Sequence, residues 1–363
     1  MSSGSENIIC TLGYHDVHGA RHSVIREGLE HAGFTLRECV TKKPGLLSKY
    51  VDLWRQYHKN RQGSSALLVP FGGHYIMPLA WLLTRIQRKP IIFDVFISLY
   101  DTYVDDRQLV SPRSLKAHFL RFIDKLSCKL ADVILIDTEL HKRYFMKMYH
   151  VKSRKILVLP VGSRTDLFKP QEHSTMHDAF IVLFYGSFIP LHGIETILSA
   201  ANLLQEEHPE IEITIIGKGQ TYPALRTYAQ SLELSNTRFL GPMPIEQLVD
   251  SMHQADVCLG IFGISDKANR VIPHKAYDAL ACAKPLITGK TKAAEHYFQH
   301  GENVILTKPG NEQELADAIV QLKNDPDLRE RIAINGHRLF LRTCLPNTIV
   351  APLVQWCKRN NIE

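Results

Sequence analysis

The sequence contains no Cys-x-x-Cys pair, and its cysteines are odd in number and far apart. The seven are Cys10, Cys39, Cys128, Cys258, Cys282, Cys344 and Cys357. Disulfide frameworks and zinc ribbons use paired, closely spaced cysteines, so this pattern argues against both. We therefore expect a protein of the reducing cytoplasm.

The sequence also lacks an export signal and a clear membrane span. Its N-terminus is polar, and the apolar run 8–12 is too short for the core of a signal peptide. Residues 62–84 contain no Asp, Glu, Lys or Arg and are long enough to cross a bilayer, but prolines and glycines interrupt them. They predict a buried strand at 66–69 and an apolar helix at 76–83. That helix either packs in a core or rests on a membrane interface.

Charge is uneven along the chain. Residues 1–170 hold 26 Lys and Arg against 15 Asp and Glu, whereas the rest hold 17 against 22. A basic first half is suited to an anionic membrane surface, here the inner face of the membrane, or to a phosphate-bearing acceptor. A merely solvated basic surface is the alternative. Zinc-finger spacing, RNP-type aromatic motifs and long basic runs are missing, so no nucleic-acid partner is expected.

Apolar runs alternate with helical patterns twice, which predicts parallel βαβ units in two domains of an α/β protein. Both domains are expected to be Rossmann-like and doubly wound, with ligands beyond the carboxyl ends of the strands in a cleft between them. The predicted boundaries are 1–171 and 178–345, with 346–363 returning to the first domain. The predicted strands are 8–13, 66–69, 90–93, 133–136 and 156–159, then 180–185, 211–216, 238–240, 257–261, 286–288 and 304–306.

Four loops that follow strands of the second half carry the residues suited to chemistry. Glycines between a strand and a helix let backbone N–H groups approach a phosphate at the positive end of the helix dipole. Lys267 and Arg270 lie three residues apart, so one turn would point both cations the same way, toward a diphosphate leaving group. Asp278 shares a helix face with Lys275 and could bind two ribose hydroxyls. The other loop residues are Gly186, Ser187, His192, Gly217, Lys218 and Gly219.

Each of these residues also has a plain structural alternative. A Gly-x-Gly turn is common in α/β proteins, and His192 could be an ordinary polar loop residue. Lys267 and Arg270 could be solvated, and Asp278 could simply pair with Lys275. The position of all four loops at strand ends of one half favours a binding site.

Residues ~180–335 resemble the nucleotide-sugar domain of family 4 glycosyltransferases, which have the GT-B fold. The strongest motif is Ile272-Pro273-His274-Lys275-Ala276-Tyr277-Asp278-Ala279-Leu280-Ala281, and the order of the motifs is more specific than any one of them. The others are Phe184-Tyr185-Gly186 with His192-Gly193, Ile215-Ile216-Gly217-Lys218-Gly219, Arg238-Phe239-Leu240-Gly241, Ala255-Asp256-Val257, Lys284-Pro285-Leu286-Ile287-Thr288 and Glu295.

The resemblance implies a retaining transfer from a nucleotide-sugar donor bound by the second domain. The base would lie near 217–219 and Leu240, the ribose near Asp278, and the diphosphate near the Gly186 loop. Glu295 is implied on the donor side as well. Fixed cations and N–H dipoles would stabilise the leaving group, so no metal or other cofactor is expected.

The sequence departs from the family pattern at four positions. The family tends to hold the diphosphate with Arg and Lys where this chain has Ser187 and His192. The first member of the family's acidic pair is Arg270 here, and the second is Asp278. These departures raise the hypothesis that Lys267 and Arg270 have taken over the diphosphate role.

The first half is expected to bind the acceptor. Asp94 ends a predicted buried strand, where related enzymes often have an acidic or His residue, and could orient the acceptor or assist proton removal. The other acceptor-side candidates are Gly19, His74, Asp101 and Arg107. Asp94 and Asp101 could instead cap turns, because Asp favours such positions.

Three functions remain open on the sequence alone. The first is a glycosyltransferase acting on a glycan or lipid-linked acceptor in the synthesis of cell-surface polysaccharide or glycoconjugate. The second is a sugar-nucleotide epimerase or hydrolase. The third is a non-catalytic sugar-nucleotide-binding or scaffold protein, for which Ser187, His192 and Arg270 are the best argument. The donor base, sugar and linkage depend on a few pocket contacts that the sequence does not locate.

Overall fold

The structure is a computed structural model that describes residues 7–171 and 178–362. It divides into two compact units. Unit 1 runs up to Gly162 and takes in the chain again from Leu345, and unit 2 spans Ser163–Cys344. Residues 172–177, which separate the two predicted domains, lie outside the described residues.

Unit 1 is built on a parallel six-stranded sheet in the order β2-β1-β3-β4-β5-β6. The central strands are continuous apolar runs because helices cover both faces of the sheet. The elements are β1 Asn7–Gly13, α1 Ala20–His31, β2 Phe34–Val40, α2 Leu46–Asn60, β3 Ser64–Val69, α3 Met77–Arg85, β4 Ile91–Asp94, α4 Leu115–Leu130, β5 Val133–Ile136, α5 Glu139–Tyr149 and β6 Ile156–Val158.

Unit 2 has its own parallel six-stranded sheet in the order β12-β11-β10-β7-β8-β9. The elements are β7 Phe180–Tyr185, α6 Ile194–Glu207, β8 Ile211–Ile216, α7 Tyr222–Ser231, β9 Thr237–Leu240, α8 Ile245–Gln254, β10 Val257–Leu259, α9 His274–Ala281, β11 Leu286–Gly289, α10 Lys292–Tyr297, β12 Ile305–Thr307, α11 Glu312–Asn324 and α12 Pro326–Thr343. The predicted pair of doubly wound α/β domains is therefore confirmed.

The strand order of each sheet reverses at one point. In unit 1 the reversal lies between β1 and β3, and in unit 2 between β7 and β10. Ligands of doubly wound folds bind beyond the carboxyl ends of the strands at such a reversal. The loops after β7 and β10 are therefore the first place to look for a site in unit 2.

The last helix, α13 (Pro346–Arg359), belongs to unit 1. It packs on α1, where Gly28 lies so close that a Cβ would overlap the carbonyl oxygen of Pro346 and approach Val350 Cγ2 to 2.7 Å. A glycine at this position allows the two helix backbones to approach closely. The helix therefore completes the core of a unit whose other residues come from the start of the chain.

The predicted apolar helix 76–83 is confirmed as α3, which begins at Met77 after a 3₁₀ turn at Gly73–Ile76. One side of α3 packs in the core through Met77 and Ala80, whereas Leu82 is 61% exposed, and Ile86 just after the helix is 92% exposed. Within residues 7–171 and 178–362, no helix is both long and apolar enough to cross a membrane.

The sequence analysis missed strand β2 and helices α10 and α12. Strand β2 lies at the edge of its sheet and carries Arg37 and Glu38, so it has no continuous apolar run. Residues Asp101–Asp106 form a single π-helical turn rather than an open loop. Such short or partly exposed elements give weak hydrophobic periodicity.

Candidate functional site

Backbone hydrogen bonds join the loops that leave the central strands of the unit 2 sheet. The amide of Gly186, just after β7, donates to Ile216 O at 2.9 Å, and that of Phe188 donates to Lys218 O at 3.0 Å. The amide of Gly217, just after β8, donates to Leu240 O at 2.9 Å. The predicted glycine loops thus form one layer at the carboxyl edge of the sheet.

Two glycines are required by this close packing. Gly217 has φ of +133°, and a Cβ there would overlap the carbonyl oxygen of Gly186. Gly193 has φ of +62°, and a Cβ there would overlap the backbone at Phe262 and Gly263, in the loop after β10. Only glycine adopts such backbone without strain in so little space. The loops after β7, β8 and β10 are therefore in close backbone contact with one another at these glycines.

A buried lysine lies directly under the first glycine loop. Lys275 is on α9, and its Nζ is 3.1 Å from Nε2 of His192. A Cβ placed on Gly186 would lie 3.1 Å from the same Nζ. Because a lysine ammonium only donates, Nε2 of His192 accepts, and Nδ1–H donates to the carbonyl oxygen of Ser187. Burial lowers the pKa of Lys275 to about 7, although the carboxyl of Asp278 opposes the shift.

Asp278 is buried one turn further along α9. Ser163 Oγ donates to one carboxylate oxygen and Tyr185 OH donates to the other. Burial raises the pKa of Asp278 to about 7, against the lowering effect of those two hydrogen bonds and of Lys275. A ribose hydroxyl would have to displace Ser163 or Tyr185 to reach this carboxylate.

Lys267 precedes a 3₁₀ turn at Ala268–Arg270, and Arg270 is the last residue of that turn, in the segment between β10 and α9. The amide of Arg270 donates to Lys267 O at 2.9 Å, so the two residues are one turn apart as predicted from their spacing. Lys267 is buried and Arg270 is half-buried. Ala268 packs on Leu191, which places this turn against the loop after β7.

The remaining donor-side candidates lie nearer the surface. Ser187 and Lys218 are exposed at the tips of their loops, and Leu240 is partly exposed at the end of β9. Gly219 packs so tightly that a Cβ would lie 2.6 Å from Phe188 N and O. Glu295 is exposed on α10, and its carboxylate lies 3.7 Å from Lys290 Nζ.

In unit 1, the structure engages Asp94 in a buried ion pair. Arg21 Nε lies 2.8 and 2.9 Å from the two carboxylate oxygens, and Arg21 Nη2 is 2.8 Å from one of them. Arg21 Nη1 also donates to Leu159 O at 3.0 Å. The side chains are 6% and 2% exposed. This geometry makes Asp94 a structural counter-ion, and its predicted acceptor role remains a hypothesis.

The other acceptor-side candidates differ in exposure. His74 and Asp101 are buried, Gly19 and Arg107 half-buried. Nε2 of His74 donates to Ile97 O at 3.1 Å, and burial lowers its pKa despite the nearby carboxylates. Gly19 precedes the first turn of α1, and Asp101 and Arg107 bracket the π-helical turn. The two buried side chains are placed to support the fold rather than to face solvent.

Sequence reasoning missed Asp124, the centre of a buried hydrogen-bond network. Its carboxylate accepts from Ser98 Oγ at 2.8 Å, from the amide of Leu99 at 2.9 Å and from Tyr149 OH at 2.8 Å. The charge lies in the middle of the amphipathic helix α4. A carboxylate on the apolar face of a helix is the signal that could have identified it.

One Asp-x-Asp triplet occurs in the chain, at 325–327, outside the loops described above. Asp325 caps α12 by accepting from the amide of Leu328 at 2.9 Å. The triplet is thus explained by helix capping.

Residues 166–339 match the family model of the glycosyl transferases group 1. The matched residues span most of unit 2. The match covers the Gly186 loop, the 3₁₀ turn with Lys267, and Lys275 on α9.

Curated relatives carry glycosyltransferase names. The chain is 23% identical to the D-inositol 3-phosphate glycosyltransferase of Corynebacterium jeikeium over 269 residues, which are 69% of this chain and 62% of that protein. It is 27% identical to the enzyme of the same name from Corynebacterium urealyticum over 275 residues, 70% of this chain and 62% of that protein. The chain thus spans about three fifths of the length of these relatives.

Solved structures share the fold over nearly the whole chain. Sucrose-phosphate synthase from Thermosynechococcus elongatus superimposes with a TM-score of 0.75 at 17% identity, covering 98% of this chain and 99% of that one. Anabaena HepE, solved with UDP-glucose, gives 0.72 at 18% identity, with 97% and 99% covered. The family match and the names of the relatives support the predicted enzyme class, a glycosyltransferase.

Proposed function

We propose that the chain is a retaining glycosyltransferase of family 4 that transfers a sugar from a nucleotide-sugar donor bound by unit 2. The observation that carries the proposal is Lys275, whose Nζ lies buried beneath the Gly186 loop at the reversal point of the sheet. The fold neighbour HepE, which was solved with UDP and with UDP-glucose, supports a donor of this chemistry.

In this proposal the diphosphate binds against the loop after β7. Backbone amides near Gly186 and the N-terminus of α6 supply dipoles, and Lys275 supplies the positive charge. His192 accepts a hydrogen bond from Lys275 and so holds the ammonium in place. Lys267 and Arg270 add charge from the neighbouring turn. Fixed cations of this kind stabilise a departing diphosphate, so transfer needs no metal ion.

The nucleoside would lie along the loops after β8 and β9, near Lys218 and Leu240. The ribose is not assigned to Asp278, because Ser163 and Tyr185 already donate hydrogen bonds to its two carboxylate oxygens. We propose that Asp278 stabilises the position of α9 and favours the charged form of Lys275, and that it does not contact the ribose directly.

For unit 1 we propose that the acceptor is a glycan or a lipid-linked sugar used in the synthesis of cell-surface polysaccharide or glycoconjugate. The chain would reach this acceptor at the cytoplasmic face of a membrane. A basic recess beside α3 and the exposed Leu82 and Ile86 support this proposal. Basic residues and exposed apolar side chains together favour an anionic bilayer. The basic residues of the recess are Arg85, Arg88, Lys89, Lys129, Lys152, Arg154 and Lys155.

Vesicle co-sedimentation tests the membrane step. The chain should sediment with phosphatidylglycerol vesicles and not with phosphatidylcholine vesicles, and added salt should weaken this binding. Ile86→Ser with Arg88→Ser should reduce it, whereas Leu341→Ser, an exposed leucine of unit 2, should not. Equal sedimentation of both variants would remove α3 from the proposal.

Calorimetry with nucleoside diphosphates tests the donor site. An anion beside Lys275 favours the ammonium, so its pKa of about 7 should rise on binding. At pH 8 binding should then take up a proton, and the measured enthalpy should depend on the ionisation enthalpy of the buffer. Affinity should fall as pH rises above 7.

The matched variants are Lys275→Met and Lys323→Met. The first should lose both the affinity and the proton uptake. The second removes a surface lysine of the same unit, paired with Glu210, and should lose neither. No binding of any nucleoside diphosphate would favour the non-catalytic alternative. Consumption of a sugar nucleotide without acceptor would favour a hydrolase or epimerase.

A further inference from the structure

Two histidines and a glutamate meet in unit 1, and none of the three has been given a role above. His15 follows β1, His22 lies in the first turn of α1, and Glu38 lies on the edge strand β2. The parallel register places Glu38 directly beside Thr11 of β1. Three separate elements thus bring these side chains to one place.

Both imidazoles point the same nitrogen at the same carboxylate. Nε2 of His22 is 2.8 Å from Oε1 of Glu38, and Nε2 of His15 is 3.2 Å from Oε2. One ligating atom from each residue lies within 4.8 Å of the others. An ion with bonds of roughly 2.0–2.2 Å to nitrogen and oxygen fits between atoms at such separations after small movements.

The surroundings suit a metal ion with one open position. The histidines are buried, whereas the carboxylate of Glu38 is 25% exposed and leaves a path from solvent. Thr11 Oγ1 donates to Glu38 and so orients the carboxylate from behind, as supporting residues do in metal sites. Gly13 leaves room for the His15 ring, since a Cβ there would lie 2.9 Å from its Nδ1.

The donor atoms of the cluster agree with this use. Two imidazoles with one carboxylate are a donor set for zinc, whereas Mg²⁺ and Ca²⁺ prefer oxygen alone.

We propose that His15, His22 and Glu38 form a Zn²⁺ site that ties the loop after β1 and the start of α1 to the edge strand β2. A water molecule would complete the coordination on the solvent side. Its role is to fix the loop from residue 14 to residue 19, which ends at the acceptor-side candidate Gly19.

Zinc binding by the untagged chain tests this proposal. After treatment with a chelator and dialysis against ZnCl₂, the wild type should retain one Zn²⁺ per chain. Glu38→Gln and His22→Gln should each weaken binding at least tenfold. His141→Gln is the matched control, because His141 is buried beside the carboxylate of Asp137 at 2.7 Å but belongs to a pair rather than a trio. That variant should bind zinc as the wild type does.

X-ray absorption on the wild-type zinc complex makes the test independent of whether the variants fold. The expected spectrum has two imidazole nitrogens at roughly 2.0–2.1 Å. A chain that retains no zinc, equal zinc retention in Glu38→Gln and the wild type, or a spectrum without imidazole ligands would overturn the proposal.

Discussion

Removing the carboxylate of Asp94 should destabilise unit 1 strongly. In Asp94→Asn, the Arg21 guanidinium would keep its place beneath the surface without a counter-ion. The pair has three nitrogen–oxygen contacts of 2.8–2.9 Å between side chains that are 6% and 2% exposed, and asparagine keeps one acceptor oxygen but not the negative charge. Breaking a buried pair from one side costs about 3–5 kcal/mol of unfolding free energy. For a unit of this size that corresponds to a fall of about 6–20 °C in Tm.

Tryptophan fluorescence can follow unit 1 alone. The three tryptophans of the chain, Trp54, Trp81 and Trp356, all belong to it. Urea titrations read by their emission should show the Asp94→Asn midpoint far below that of the wild type. A surface control is Glu139→Gln, which removes a partly exposed ion pair of 3.9 Å and should change stability by less than about 0.5 kcal/mol.

A double-mutant cycle separates the ion pair from other effects of substitution. Arg21→Met alone should also be costly, whereas Arg21→Met with Asp94→Asn should cost less than the two single changes added together, because no unpaired charge remains. If Asp94→Asn unfolds with the same midpoint as Glu139→Gln, the pair does not stabilise the unit. Asp94 would then return to being an acceptor-side candidate.

Three further predictions concern close packing and acid. Gly217→Ala should cost unit 2 about 2–4 kcal/mol, since the new Cβ overlaps Gly186 at a φ of +133°, whereas Gly241→Ala meets no atom within 4 Å and should be near neutral. Urea titrations read by far-UV circular dichroism, which reports on both units, compare the two variants. Gly28→Ala should lower the urea midpoint of the tryptophan signal, because a Cβ there overlaps the first residue of α13. Burial lowers the pKa of His74, so the unfolded chain binds more protons below pH ~6.5 and stability should be lost as pH falls through that range. His74→Gln should flatten the acid side of a stability–pH profile, and an unchanged profile would contradict the assignment.

The fold was predictable wherever burial is continuous along the chain. Strands such as β5 and β7 are unbroken apolar runs, and their prediction from the sequence was confirmed. Strand β2 was missed because an edge strand needs only part of its surface to be apolar, and it carries the charged Arg37 and Glu38. Local pattern thus identifies the centre of each sheet better than its edge.

The candidate site was predictable only as far as its glycines and cations. The close approach of the loops follows from chain direction and turn residues, which the sequence contains locally. The contact partners of the site residues do not follow from the local sequence, because they come from elements that are distant along the chain. His192 and Lys275 are 83 residues apart, and Arg21 and Asp94 are 73 apart. The sequence therefore predicted a ribose beside Asp278 but could not predict the contacts of its carboxylate with Ser163 and Tyr185.

The discontinuity of unit 1 has a consequence for how the chain folds during synthesis. Helix α13 fills the side of α1 around Gly28, yet it is translated only after the whole of unit 2. At about 5–20 residues per second, the roughly 180 residues between Gly162 and Leu345 take about 10–40 seconds to emerge. During that time unit 2 can complete its own core while an apolar side of α1 stays uncovered. Chaperones that bind nascent chains should therefore protect the first half of this protein longer than the second.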